Sequence, residues 1–224
     1  MENIFASFIL AAAISLFTTP LAKKLAYKMG AIDIPKDDRR VHNEPMPLMR
    51  GLAIYIAFIV SCFIFLPMNK TFLSIIIGGT LILISGIIDD IKDLSPKGKL
   101  IFQISASLIL ILGDVKIDVI TNPFVNSDSV IHLNGLSIPI TIFWVVGVTN
   151  TLNLIDGLDG LAAGISTIAS LTFVFVAKEL NYIPIMIISA IVAGASFGFL
   201  SYNFHPARIF MGDTGALLLG FILA

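Results

Sequence analysis

The sequence predicts an all-α polytopic membrane protein. About seven complete transmembrane helices, a truncated eighth, an outer N-terminus and a small outer β-hairpin near 114–135 are expected. Three observations predict it. Of 224 residues, 57% are hydrophobic and 13% charged, at a mean hydropathy of +0.96, whereas a soluble domain carries roughly 25% charge. Uncharged stretches close to the ~20 residues of a bilayer helix recur along the whole chain. Basic residues collect in alternate loops. The same composition excludes disorder, coiled coil and nucleic-acid binding, and the net charge of -1 offers a polyanion no basic surface.

Residues 4–22 form the first run. It has neither a basic n-region nor an A-x-A site, so it reads as a retained span. Residues 51–69 and 71–88 form the second and third, separated by the turn Pro67-Met68-Asn69-Lys70. Cys62, the single cysteine, sits in an apolar run and reads as a buried, inert thiol that leaves the redox compartment open. The fourth run, 100–113, is short but uncharged. The outer connection 114–135 alternates β-branched residues around a turn-rich middle, the pattern of a hairpin, with His132 on it as a surface residue. Runs at 136–155, 160–177 and 180–204 follow, and an eighth begins after Asp213. No repeat, low-complexity tract or second domain interrupts 1–224.

With the N-terminus outside, eleven of the fourteen Lys and Arg residues lie inside, and only Lys70, Lys116 and Lys178 lie outside. Ten of the fifteen acidic residues also fall inside. Asp89-Asp90, Asp156 with Asp159, and Asp213 press against span ends, where a charge is costly and points to function. Three separated loops thus bring carboxylates to one face. With Lys92, Lys97 and Lys99 close by, such a set suits a divalent cation and an anionic substrate.

In the run Asn153 to Gly160, a spacing of three lays Asn153, Asp156 and Asp159 along one face if helical, while Gly157 and Gly160 favour a broken turn; either way the oxygens are expected to converge. In the run Asn203 to Gly215, Pro206 stops the seventh span and Asp213 can open a helix, either as a ligand or as a simple cap. Phe210 can stack on a nucleobase or pack at the membrane interface. The first inner loop carries Arg39, Arg40 and Arg50, which suit either a phosphate or anionic lipid, and His42, which suits a proton relay or a plain exposed-loop histidine.

Four motifs, in order, resemble the polyprenyl-phosphate N-acetylhexosamine-1-phosphate transferases of glycosyltransferase family 4, the WecA/TagO-type enzymes and their MraY relatives. They are Arg40-Val41-His42 through Pro45-Met46-Pro47, Asp89-Asp90, Asn153 through Gly160, and Phe210-Met211-Gly212-Asp213-Thr214-Gly215. The first loop looks more like the WecA/TagO branch. The resemblance implies a bacterial plasma-membrane enzyme with its site toward the cytoplasm. Undecaprenyl phosphate attacks the sugar-linked phosphorus of a UDP-amino sugar, UDP-GlcNAc in this branch, and UMP leaves. It implies Mg²⁺, with Mn²⁺ as a substitute, held by Asp213 with Asn153 beside it. Asp89 and Asp90 take the lipid phosphate, as base or as nucleophile. Asp156, Asp159 and Asn203 contact the nucleotide sugar, Phe210 stacks on uracil, and Lys99, Arg40, His42 and Arg208 bind phosphates.

Two departures stand out. Arg50 replaces a usual Gly, with Leu48 where a basic residue is common. The chain also ends within an apolar run, whereas full-length family members continue to a late histidine-rich loop, so a fragment is expected. Two other readings remain open: MraY-like transfer of phospho-MurNAc-pentapeptide, and an ion-coupled transporter, which would place its acids near mid-span. The oligomeric state stays open, a homodimer included.

Overall fold

The computed structural model describes residues 2–30, 32–33, 46–47, 51–122, 129–207 and 209–224. Among these are eight α-helices. They are α1 (Glu2–Met29), α2 (Gly51–Phe65), α3 (Lys70–Lys92), α4 (Pro96–Leu112), α5 (Ser137–Ile155), α6 (Leu161–Glu179), α7 (Ile183–Asn203) and α8 (Gly212–Leu223). Strands β1 (Ile32–Asp33) and β2 (Met46–Pro47) pair antiparallel after α1. Strands β3 (Val119–Thr121) and β4 (Val130–His132) pair Val119 with His132 and Thr121 with Val130, forming the hairpin expected between the fourth and fifth runs. His132 is exposed on it.

The protein is a multi-pass membrane protein. Five helices (α1, α3, α6, α7, and α5 with the 3-10 turn before it) are long and apolar enough to cross a bilayer. Two runs form helices too short to cross a bilayer unaided: α2 ends before the expected 51–69, and α4 lengthens the already short run 100–113 back to Pro96. Helix α2 has 15 residues and α4 has 17, which at ~1.5 Å per residue falls below the ~30 Å hydrocarbon core. The causes are local. The chain leaves α2 at Leu66-Pro67, and α4 gains its length at Pro96, with the charged Lys97 and Lys99 in its opening turns. Helix α1 instead outlasts its apolar run and carries Lys23, Lys24 and Lys28 on its last turns.

Small residues set the packing, as in membranes generally, where backbones must approach closely to gain dispersion contacts. Ser7, Ala11, Ser15, Thr19, Ala22 and Ala26 form the buried stripe of α1. It lies on α7, where a Cβ at Gly194 would overlap the Phe8 carbonyl oxygen and one at Gly198 that of Ala12. Cys62 is fully buried, as its apolar run implied.

Helix α8 is the centre of the bundle. It packs on α2, α3, α5 and α6, and every residue from Thr214 to Phe221 is buried. Leu218 and Leu219 join Ile54, Phe58 and Phe199 in one core cluster; Leu217 and Phe221 join Ile82, Ala106, Leu110 and Val145 in another. Lys70 bonds Asp114 at 3.0 Å, tying the start of α3 to the end of α4. Asp118 is held below the usual carboxylate range by the Lys116 ammonium and the Ser137 hydroxyl.

Candidate functional site

The turn between α3 and α4 supplies the first part. Helix α3 stops at Lys92, and Asp93 takes a left-handed conformation, φ 51°, which Asp tolerates better than most residues. The Leu94 N–H then donates to Asp89 Oδ1 at 2.7 Å. Ser95 accepts from Gly98 N–H at 3.2 Å, and Pro96 opens α4, where its missing N–H costs nothing. This reversal brings Lys99 back over Asp89. Its Nζ lies 2.7 Å from Asp89 Oδ2 and 2.5 Å from Asp213 Oδ2.

The start of α8 supplies the second part. Gly212 adopts φ +70°, and Asp213 enters the first helical turn. Asp90 Oδ1 accepts the Asp213 N–H at 3.0 Å, and Asp90 Oδ2 accepts the Thr214 N–H at 3.4 Å and the Thr214 hydroxyl. Asn153, at the end of α5, donates through Nδ2 to Asp213 Oδ2 at 3.3 Å. Four helix ends thus converge, and the acids sit at the rim of the bundle. Beside them opens a cavity of about 320 Å³, lined by Leu94, Pro96, Lys99, Leu100, Gln103, Asn150 and Asn153.

The α5–α6 connection only partly follows the sequence expectation. Helix α5 ends at Ile155, and Gly157 and Gly160 break the path, Gly160 at φ +72°. The spacing of three therefore fails to keep Asn153, Asp156 and Asp159 on one face. Asp156 stays with the cluster: burial, then the charges of Asp213 and Asp90, push its carboxyl up to about 7. Asp159 turns away, and its Oδ2 accepts from Ala207 N–H at 3.0 Å and meets His205 Nδ1 at 3.0 Å. Asn203, 2% exposed, donates to the Ile209 carbonyl at 2.7 Å and leaves its Oδ1 buried without a bond. Phe210 is half-buried between buried Ile209 and Met211. Arg40, His42 and Arg208 lie outside the described residues, as do Leu48 and Arg50.

Sequence reasoning missed five contributing residues. Thr214 bonds Asp90 through its hydroxyl. Gln103 and Asn150 exchange reciprocal amide bonds, 3.1 and 2.8 Å, between α4 and α5 in the cavity wall. Polar amides inside apolar runs were the available signal. Gly51 and Gly86 let α2 and α3 touch the backbone of Thr214 and Gly215, and only a three-dimensional contact shows this.

The donor set has a definite chemistry. Asp89, Asp90, Asp156 and Asp213 gather at one rim; among the described residues, Lys99 is the cation bonded to them. Among those residues no three His, Cys, Asp or Glu side chains form a closed metal cage. Among the described residues, these carboxylates are the kind of oxygen donor of which a hard divalent ion that keeps its waters takes one or two.

These features define a polytopic membrane protein with an acidic, lysine-bridged centre at one end of its bundle, and the chain belongs to glycosyl transferase family 4, whose family model matches residues 72–224. It is 40% identical over 227 residues to a probable undecaprenyl-phosphate N-acetylglucosaminyl 1-phosphate transferase of Bacillus subtilis, covering all of this chain and 62% of that protein. It is 34% identical over 231 residues to a decaprenyl-phosphate N-acetylglucosaminephosphotransferase of Mycobacterium tuberculosis, covering 96% and 57%. A phospho-N-acetylmuramoyl-pentapeptide-transferase of Caldanaerobacter subterraneus is 34% identical over 228 residues, covering 96% and 70%. The chain thus spans less than two thirds of the length of the first two.

Proposed function

We propose that the protein transfers N-acetylglucosamine 1-phosphate from UDP-GlcNAc to undecaprenyl phosphate, at the cytoplasmic face of a bacterial plasma membrane, to begin a cell-envelope polymer. The observation that carries this reading is the Lys99 bridge between Asp89 and Asp213, with Asn153 on the same Asp213 oxygen, beside an open cavity. The names of the Bacillus and Mycobacterium relatives support the lipid and the sugar. The bias of Lys and Arg toward the loops at this end supports the cytoplasmic side.

In the reaction an oxygen of the lipid phosphate bonds to the sugar-linked phosphorus of the donor. The bond from that phosphorus to the oxygen shared with UMP breaks, and UMP leaves with the electron pair. Two anions must meet, so positioning and charge neutralisation dominate. Asp213 and Asn153 would hold Mg²⁺, which supplies charge neutralisation for the diphosphate when bound. Lys99 reaches phosphate oxygens from the cavity side and offsets the acids around it. Asp89, beside Lys99, orients or deprotonates the lipid phosphate. Asp156, held partly protonated near neutral pH, can donate a hydrogen bond to the nucleotide sugar.

Release of UMP from UDP-GlcNAc by the full chain in lipid, with undecaprenyl phosphate and Mg²⁺, tests the reading. No release would overturn it. The Caldanaerobacter relative favours a second reading, transfer from UDP-MurNAc-pentapeptide, and exchange of the two donors separates them. Acids at helix ends rather than mid-span argue against the transporter.

A further inference from the structure

We infer that Asp90 is a positioning residue: its carboxylate caps α8 from α3 and so fixes Asp213, while its neighbour Asp89 is the carboxylate that faces the reacting groups. The division between the two rests on the transferase reading; the cap does not.

Helix α8 begins without a side-chain cap of its own, because Met211 stands at its N-cap position. The first N–H groups of a helix need outside acceptors. Asp90 supplies them, with Oδ1 on Asp213 N–H and Oδ2 on Thr214 N–H and its hydroxyl. An anion at this end also meets the positive pole of the helix. The surroundings are shaped for the contact. A Cβ on Gly212 would stand 3.0 Å from both Asp90 oxygens, and a Cβ on Gly86 would overlap the Thr214 backbone.

Gly86 and Asp90 are four apart and share a face of α3. Asp89 lies about 100° around the helix and bonds Lys99 of α4 instead. Adjacent aspartates therefore do different work. Asp90 holds the backbone that carries Asp213; Asp89 accepts from Leu94 N–H in the α3–α4 turn and shares Lys99 with the Asp213 carboxylate.

The test uses Asp90→Asn, Asp90→Ala and Asp89→Asn in the full chain, reconstituted in lipid nanodiscs. Amide hydrogen exchange over 212–216 and the kcat and KM of UMP release are measured together. Asp90→Asn keeps Oδ1 for the Asp213 N–H but puts an amide N–H₂ where Oδ2 accepted from Thr214, so protection persists at 213, falls severalfold at 214, and kcat stays within about tenfold of the unaltered protein. Asp90→Ala loses at least tenfold protection in the first turn of α8, with α5 unchanged, and kcat falls about a hundredfold. Asp89→Asn keeps the protection and loses kcat by a hundredfold or more. An Asp90→Asn protein with protection kept at 213 and the kcat of Asp89→Asn would overturn the inference, as would full protection in Asp90→Ala. If Asp90→Ala does not fold, Thr214→Val takes its place, with a severalfold loss of protection expected and none overturning the cap. An unaltered chain that releases no UMP would sink the transferase reading alone, because the exchange comparison still decides the cap.

Discussion

Lys99 and Asp213 lie 114 residues apart in the chain and 2.5 Å apart in the structure. The same ammonium is 2.7 Å from Asp89. One cation therefore holds together the ends of α3 and α8 from the first turn of α4.

Replacing Lys99 leaves two carboxylates facing each other at the rim. Lys99→Met is expected to lower UMP release by two orders of magnitude or more, the scale of a lost charge-stabilising donor. Lys99→Arg should recover only part, since a planar guanidinium cannot repeat the point contact of an ammonium to two acids. Initial rates at saturating donor check this; a Lys99→Met protein at the normal rate would remove Lys99 from the site.

Chelation should stop UMP release, and Mg²⁺ or Mn²⁺ should restore it. Asp213→Asn should keep α8 in place, because Asp90 grips the Asp213 backbone and not its carboxylate. It should nonetheless lose Mn²⁺ retention, read from the paramagnetic resonance of the free ion. Unchanged retention would move the cation elsewhere.

Asp156 gives a signed pH effect. Its carboxyl is raised from 3.8 to about 7, so between these values the folded protein holds a proton that the unfolded chain releases. This contribution to stability is present at low pH and is lost as pH rises through 7. In metal-free protein, Asp156→Asn should therefore melt close to the unaltered chain near pH 4 and above it at pH 8. A difference that stays flat across this range would contradict the burial of the carboxyl.

Glycine substitutions separate architecture from chemistry. Gly194→Ala drives a methyl into the Phe8 carbonyl and should lower stability by about 1–3 kcal/mol, the cost of overpacking, without altering the donor KM. Gly164→Ala meets nothing within 4 Å and should be neutral or slightly stabilising, since alanine favours helix. Thermal unfolding in one detergent ranks the pair; equal melting points would deny the α1–α7 contact.

The helices were legible because each apolar run announces itself, although that pattern does not reach the start of α4 at Pro96, four residues before its uncharged run. The gathering of Asp89, Asn153, Asp156 and Asp213 at one end followed from alternation of spans alone. What stayed hidden depended on direction. Two adjacent aspartates look equivalent in a string of letters, and only the rotation of α3 separates Asp89 from Asp90. Asp159 likewise belongs to the same motif as Asp156, yet two glycines turn it toward Ala207. The amide pair Gln103–Asn150 needed two helices to be seen side by side.

That α8 fills the middle of the bundle has a consequence for biosynthesis. Among the described residues seven helices leave the ribosome before it, and until α8 threads between them Asp90 lacks the α8 amides and Lys99 has Asp89 without Asp213. Packing of α8 into the hydrophobic interior and arming of the acidic rim are then a single event, and a nascent chain stalled before residue 212 carries neither.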